Sequence, residues 1–237
     1  MRARVHVYSL AAIVCVCAIA PAAAVDARSA ARAPSPRVVA TAIKRSAPHV
    51  AQQATDVRPR HTADSAIIVA TSRTSVTIAK DPRDAATMTA HQPPHAIAIA
   101  IHSRQHAKNA VRINPTTVVY QGTDVSASTA VQAIAAGGLR FMTIIAGPDA
   151  PREYLFDMHL PPRARIVLAD NGALRIVTAT GSPIASIDKP WAVDADGRSL
   201  PITYSTTQST LTMHIDHRQA TYPAIADPVI QNDGSPS

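Results

Sequence analysis

Glycine is missing from the first 121 residues, glutamate occurs once, at Glu153, and the only cysteines, Cys15 and Cys17, lie within one short apolar run. Each shortage excludes a chemistry. Without glycine the N-terminal half has no phosphate-cradling loop and no tight turn that needs positive φ. A single glutamate leaves paired-carboxylate glycosidase chemistry to aspartates, and there is no His-Glu-x-x-His or Gly-x-Ser-x-Gly run. Aromatic residues are also scarce, and seven of the eight lie beyond residue 115. The longest apolar run, residues 10–20, is far shorter than the roughly 20 residues that span a bilayer.

The run nevertheless has an identifiable role. Met1-Arg2-Ala3-Arg4 precedes it, and Pro21 and small residues follow, which is the order of charge, apolar stretch and cleavage site in a secretory signal. A signal peptide is expected over residues 1–27, with cleavage after Ala24 or Ala27. Both cysteines leave with it. The mature chain then has no thiol, which excludes disulfides, Cys-ligated zinc and thiol catalysis. Because Cys15 and Cys17 sit in the middle of the run rather than after it, no lipid attachment is expected, and no stable membrane span remains after cleavage. The expected location is secreted or extracytoplasmic.

Charge divides the chain in two. Residues 1–115 carry a formal +10 and residues 116–237 a formal −3. Residues 28–115 are rich in Ala, Thr, Ser, Arg, His and Pro, and read as a basic, low-complexity, disordered tether. Three aliphatic patches interrupt it: Ile67-Ile68-Val69, Val76-Thr77-Ile78 and Ile97-Ala98-Ile99-Ala100-Ile101. The last two alternate as strands do, while the apolar ladder Ile97, Ile101, with His102 and His106 beyond it, also fits a helix ending near Asn109. The tether's charges, dispersed without interleaved aromatics, offer no stacking platform for bases, so no nucleic-acid partner is expected. An anionic cell-envelope polymer is the partner such a segment would attract.

From residue 118 the texture changes to short runs of β-branched and aromatic residues, punctuated about every ten residues by turn signals. Strands are expected over 139–145, 152–159, 165–168, 174–179, 191–194, 200–205, 210–216 and 221–226. Asp170-Asn171-Gly172 marks a hairpin between the third and fourth of these. Thr180-Gly181 and Asp196-Gly197 mark further turns, and the Tyr222-Pro223 and Asp227-Pro228 steps suggest an edge strand. The fold class is all-β: a single antiparallel β-sandwich-like domain over residues 116–229, followed by a disordered tail at 230–237.

Three features carry candidate chemistry. His214 and Asp216 alternate onto one strand face with Thr212, where a carboxylate can orient an imidazole for acid–base work. The opposite face, Leu211, Met213 and Ile215, is apolar, so the His214/Asp216 face is equally a plain solvated one. Trp191, the only tryptophan, is a candidate ligand platform or a core anchor. His102 and His106 share i, i+4 spacing but lack a third ligand, and His91 and His95 are separated by Pro93-Pro94. No metal site and no cofactor is expected.

Residues 190–197 (Pro-Trp-Ala-Val-Asp-Ala-Asp-Gly) and 222–228 (Tyr-Pro-Ala-Ile-Ala-Asp-Pro) stand out together with Val118-Val119-Tyr120, Gly137-Gly138-Leu139-Arg140, Leu160-Pro161-Pro162 and Asp216-His217-Arg218. They resemble an uncharacterised group of secreted actinobacterial proteins that carry a Pro-Trp-Ala-Val-Asp-Ala-x-Gly run and close on Tyr-Pro-Val-Val-Ala-Asp-Pro. The resemblance implies export and a β-rich domain, with no known reaction. Members often continue past the closing motif, which makes the shared part an export or presentation module; this chain stops nine residues later. The function expected is a non-catalytic extracellular or envelope-associated interaction module. The alternatives are a pro-segment or presentation partner for another secreted protein, and a hydrolase using His214 and Asp216.

Overall fold

In a computed structural model, residues 32–52, 59–71, 74–92, 95–135, 137–169 and 171–232 are described. Two helices, α1 (Pro36–Ser46) and α2 (Pro48–Gln52), precede the strands. The first five strands are β1 (Ser65–Ala70), β2 (Thr74–Ala79), β3 (Ala86–Gln92), β4 (His95–Ser103) and β5 (Val111–Asn114). Next come β6 (Thr117–Gln121), β7 (Ala127–Ile134), β8 (Gly138–Ile145), β9 (Glu153–His159), β10 (Arg165–Leu168) and β11 (Leu174–Val177). The last six are β12 (Pro183–Ile187), β13 (Trp191–Val193), β14 (Ile202–Thr206), β15 (Thr210–Ile215), β16 (Ala224–Asp227) and β17 (Val229–Asn232).

They form two antiparallel sheets packed face to face. One has seven strands in the order β1-β2-β3-β4-β9-β15-β14; the other has ten, with the path β10-β11-β12-β17-β8-β7-β6-β5 and β16 bridging β8 to β13. Alternation decides what each strand buries. In β9 it sends Tyr154, Phe156 and Met158 inward, and in β15 Leu211, Met213 and Ile215. Phe156 meets Phe141 of β8 edge-on at 5.6 Å between centroids, which joins the two sheets at their centre. The expected hairpin is present: β10 and β11 pair from Leu168↔Leu174 to Arg165↔Val177, and Gly172 takes φ 82°, although Asp170 lies outside the described residues. Gly137, also at φ 82°, is required for a second reason, because an added Cβ would stand 1.9 Å from Thr74 Oγ1 on β2.

Several expectations are corrected. The signal peptide at 1–27 lies outside the described residues. Within 28–115, however, the structure has α1, α2 and five strands in place of a disordered tether, and the sandwich begins at Ser65 rather than at residue 116. The physical reason is a shared core. Ile67, Val69, Val76, Ile78, Met88, Ile99 and Ile101 pack in the same buried cluster as Phe141, Phe156 and Met213. The aliphatic strands therefore need no aromatic or glycine of their own. Residues 97–102 are strand and not helix, for the same reason. Residues 230–232, placed in the tail, complete β17 between β12 and β8. Nor is the terminal segment an edge strand: β16 lies between β13 and β8. Pro228 is tolerated there because it falls between β16 and β17, where its carbonyl still accepts the Phe141 N–H.

Outside this core, α1 and α2 lie on the outer face of the larger sheet. Val39, Ala42, Ile43, Ala47 and Val50 pack on Val119, Ala130, Met142, Ile144 and Ile225 in a second buried cluster. Among the described residues no helix is long and apolar enough to cross a membrane.

Candidate functional site

His214 lies on the outer face of the smaller sheet, near one end, with Glu153 of β9 and Thr203 of β14 directly opposite it. Its Nδ1 is 3.3 Å from Glu153 Oε1 and its Nε2 is 2.7 Å from Ser205 Oγ. Asp216, just past β15, is not its partner. Arg218 donates to both Asp216 oxygens, from Nε at 2.7 Å and from the terminal nitrogen at 2.6 Å. That pairing with Arg218 is the main reason the Asp216 carboxyl is held down to about 2. The geometry explains the exchange of partners. Residues i and i+2 of a strand are separated by two rises of about 3.3 Å, whereas residues facing each other across strands have Cβ atoms about 5 Å apart. Glu153, directly opposite, is therefore better placed than Asp216, while Ser205, opposite Thr212, reaches the ring along the diagonal, and only strand register could have disclosed either.

Around this row the surface is hollowed. An open cleft of about 290 Å³ is lined by Arg152, Glu153, Thr203, His214, Asp216 and Arg218. A second hollow of about 500 Å³ shares Pro201, Asp216 and Arg218 with it and extends to Asp194, Arg198 and Gln219. Inside the sandwich, by contrast, the void beside Tyr120 and Phe141 measures about 20 Å³, room for one water.

The other residues singled out from the sequence hold the fold. Trp191 is half-buried and meets His49 of α2 edge-on at 5.2 Å, as an anchor between sheet and helices. The two motif runs pair with each other, Trp191↔Asp227 through Val193↔Ile225. Asp194 is fully buried and accepts from the N–H groups of Asp196 at 3.0 Å, Arg198 at 2.9 Å and Thr221 at 3.2 Å, and from Arg198 Nε at 2.9 Å. Burial disfavours its charge, but these donors outweigh it and hold the carboxyl down to about 2. Asp227 is the opposite case. Burial pushes it up to about 7 against the pull of Arg140, whose Nε is 2.8 Å away. His217 is buried with Nε2 3.1 Å from the Pro151 carbonyl and Nδ1 3.0 Å from the Tyr222 hydroxyl. The conspicuous aspartates and the histidine of these motifs clamp loops and strand ends.

His102 faces Asp157 across β4 and β9, while His106, beyond the strand, lies 3.1 Å from Asp124. His91 and His95 lie on the paired strands β3 and β4, in register with Ala96 and Gln92, and Pro93 and Pro94 lie outside the described residues. Among the described residues no group of three His, Asp or Glu side chains is arranged to hold a metal ion.

The class defined is thus a two-sheet antiparallel sandwich with a charged, solvent-open cleft on one outer face and a helical cap on the other. Comparisons with family models, curated proteins and solved structures give no match.

Proposed function

We propose that the protein is an extracytoplasmic interaction module, contacting an anionic cell-envelope polymer or another secreted protein. The observation that supports this reading is the open cleft, in which Arg152 and Arg218 stand beside His214 on a rigid sheet. Loops and sheet faces held by a stiff sandwich are the usual place for such contacts. The basic N-terminal half and the signal-like first residues agree with an envelope setting. The test is retention of the full mature chain on purified wall and anionic-lipid fractions across a salt series. Binding at low salt that weakens with salt and with Arg152→Glu is expected; no retention at any salt would remove the reading.

A second reading, a hydrolase, is favoured by one specific observation: Ser205, His214 and Glu153 line up in the order nucleophile, base and orienting carboxylate. In it Ser205 Oγ attacks an ester carbonyl, His214 Nε2 takes the hydroxyl proton and passes it to the departing alcohol, and water then cleaves the acyl-serine with the same base. Against it stands exposure. The Glu153 side chain is 64% and the His214 side chain 37% accessible, so nothing excludes water from the row. A fluorophosphonate probe decides: labelling of Ser205 that disappears in His214→Ala supports the hydrolase, and an unlabelled Ser205 removes it.

A further inference from the structure

The two faces of the larger sheet are composed differently. Toward the sandwich interior β7 and β8 present Ala127, Val131, Ala133, Leu139, Phe141 and Ile145, with the two small hydroxyls of Thr129 and Thr143 among them. Toward α1 and α2 the same strands alternate apolar residues with Ser128, Gln132 and Arg140, all at most 5% exposed. The interior face thus adds only small hydroxyls, whereas the outer face sets an amide and a guanidinium among its apolar residues, as the contact surface of a recognition interface does.

Those polar groups address the main chain of the N-terminal segment. Gln121 Nε2 donates to the Ala33 carbonyl at 2.9 Å, Ser128 Oγ to the Pro34 carbonyl at 2.7 Å, and Gln132 Nε2 to the Val50 carbonyl at 3.2 Å. Arg140 in turn donates to Gln132 Oε1 at 3.3 Å. Three side-chain donors thus read backbone carbonyls at both ends of the cap, and the apolar stripe Val39, Ala42, Ile43, Ala47 fills the space between.

The cap itself is weakly built. The residue before α1, Ser35, makes no side-chain capping bond, and no acidic residue occupies the first turn. Eleven residues are too few for a helix to persist alone in water, and α2 is barely more than one turn. Order in residues 32–52 comes from the face they lie on.

We infer that the outer face of the larger sheet is a binding site for a short amphipathic helical segment, and that residues 32–52 are its tethered ligand, docking and undocking as a unit while the sandwich stays folded. The site is on the opposite sheet from the charged cleft and does not depend on the cleft reading.

Two measurements on the full mature chain test it. In native-state hydrogen exchange followed by mass spectrometry, amides of 36–46 are expected to exchange roughly 100-fold or more faster than those of β7 and β8, as a separate opening unit. Equal protection of cap and strands overturns the inference. The second uses the double variant Val39→Asp/Ile43→Asp, which places two carboxylates in the apolar seam. The sandwich is expected to keep its sheet circular dichroism while Trp191 emission shifts to the red. A labelled peptide of residues 32–52 should then bind the variant saturably and the wild type at least about 10-fold more weakly, because the tethered copy competes at a high effective concentration. A variant that loses the sandwich, a folded variant that ignores the peptide, or equal binding to both proteins would each overturn it.

Discussion

Replacing Ile99 by alanine asks whether residues 65–103 are part of the sandwich or an accessory to it. Ile99 is 1% exposed, sits on β4 opposite Met88, and packs in the buried cluster that contains Phe156 and Phe141. Truncation removes three buried carbons between two sheets that are locked by their ladders and cannot close on the gap. Isoleucine-to-alanine changes in such sites cost about 2–5 kcal/mol, and about 3 kcal/mol is expected here. For a domain of this size each kcal/mol moves the midpoint by about 2–4 °C, so the thermal transition should fall by roughly 6–12 °C. Trp191 is the assay, since it lies on β13 of the other sheet and is the only tryptophan. A fall of that size in the Trp191 transition means that β1–β4 and the C-terminal strands melt together. A Trp191 midpoint unmoved within about 1 °C, with the far-UV signal losing its lowest-melting part, would refute the shared core. Val167→Ala on β10, 38% exposed, is the control and should change stability by less than about 0.5 kcal/mol.

Two further outcomes follow from the clamps. His217→Ala removes a fully buried ring and leaves the Pro151 carbonyl short of a partner, while the Tyr222 hydroxyl keeps its bond to the residue 217 carbonyl; urea denaturation should show a loss of about 2–4 kcal/mol at unchanged m-value, and a loss below about 0.5 kcal/mol would contradict the clamp. Asp194 titrates in the folded chain near 2, below the ordinary 3.8, so the unfolded chain takes up its proton first. The stability its charge contributes is complete above about pH 4 and is lost as pH falls toward 2. Asp194→Asn should therefore flatten the acid limb of the stability–pH curve, and a variant as acid-sensitive as the wild type would show that the loop around 194–198 is held some other way.

Much of the sandwich was legible because strand period and turn chemistry are local. The inward sets Tyr154/Phe156/Met158 and Leu211/Met213/Ile215, and the hairpin at Asn171-Gly172, follow from two-residue alternation and from which residues tolerate positive φ. Composition misled where it stood in for packing. Residues 65–103 lack aromatics and glycine, yet strands such as β4 need only alternate aliphatics when Phe156 and Phe141 are supplied from distant parts of the chain. The cap is another such case. α1 presents one apolar stripe too short to announce itself, and its helicity depends on a sheet face more than 60 residues away in sequence.

The candidate site divides along the same line. That His214 and Asp216 share a strand face with Thr212 was determined by the sequence alone, since alternation is a property of the strand. That His214 turns to Glu153 and Ser205, while Asp216 is taken by Arg218, was decided by the order of β9, β15 and β14 in the sheet. So too the pairing of residues 191–193 with 225–227, which makes one structural clamp of two separate motifs. Local pattern determines which way a side chain points; which partner it finds depends on long-range register, and no window of sequence contains that.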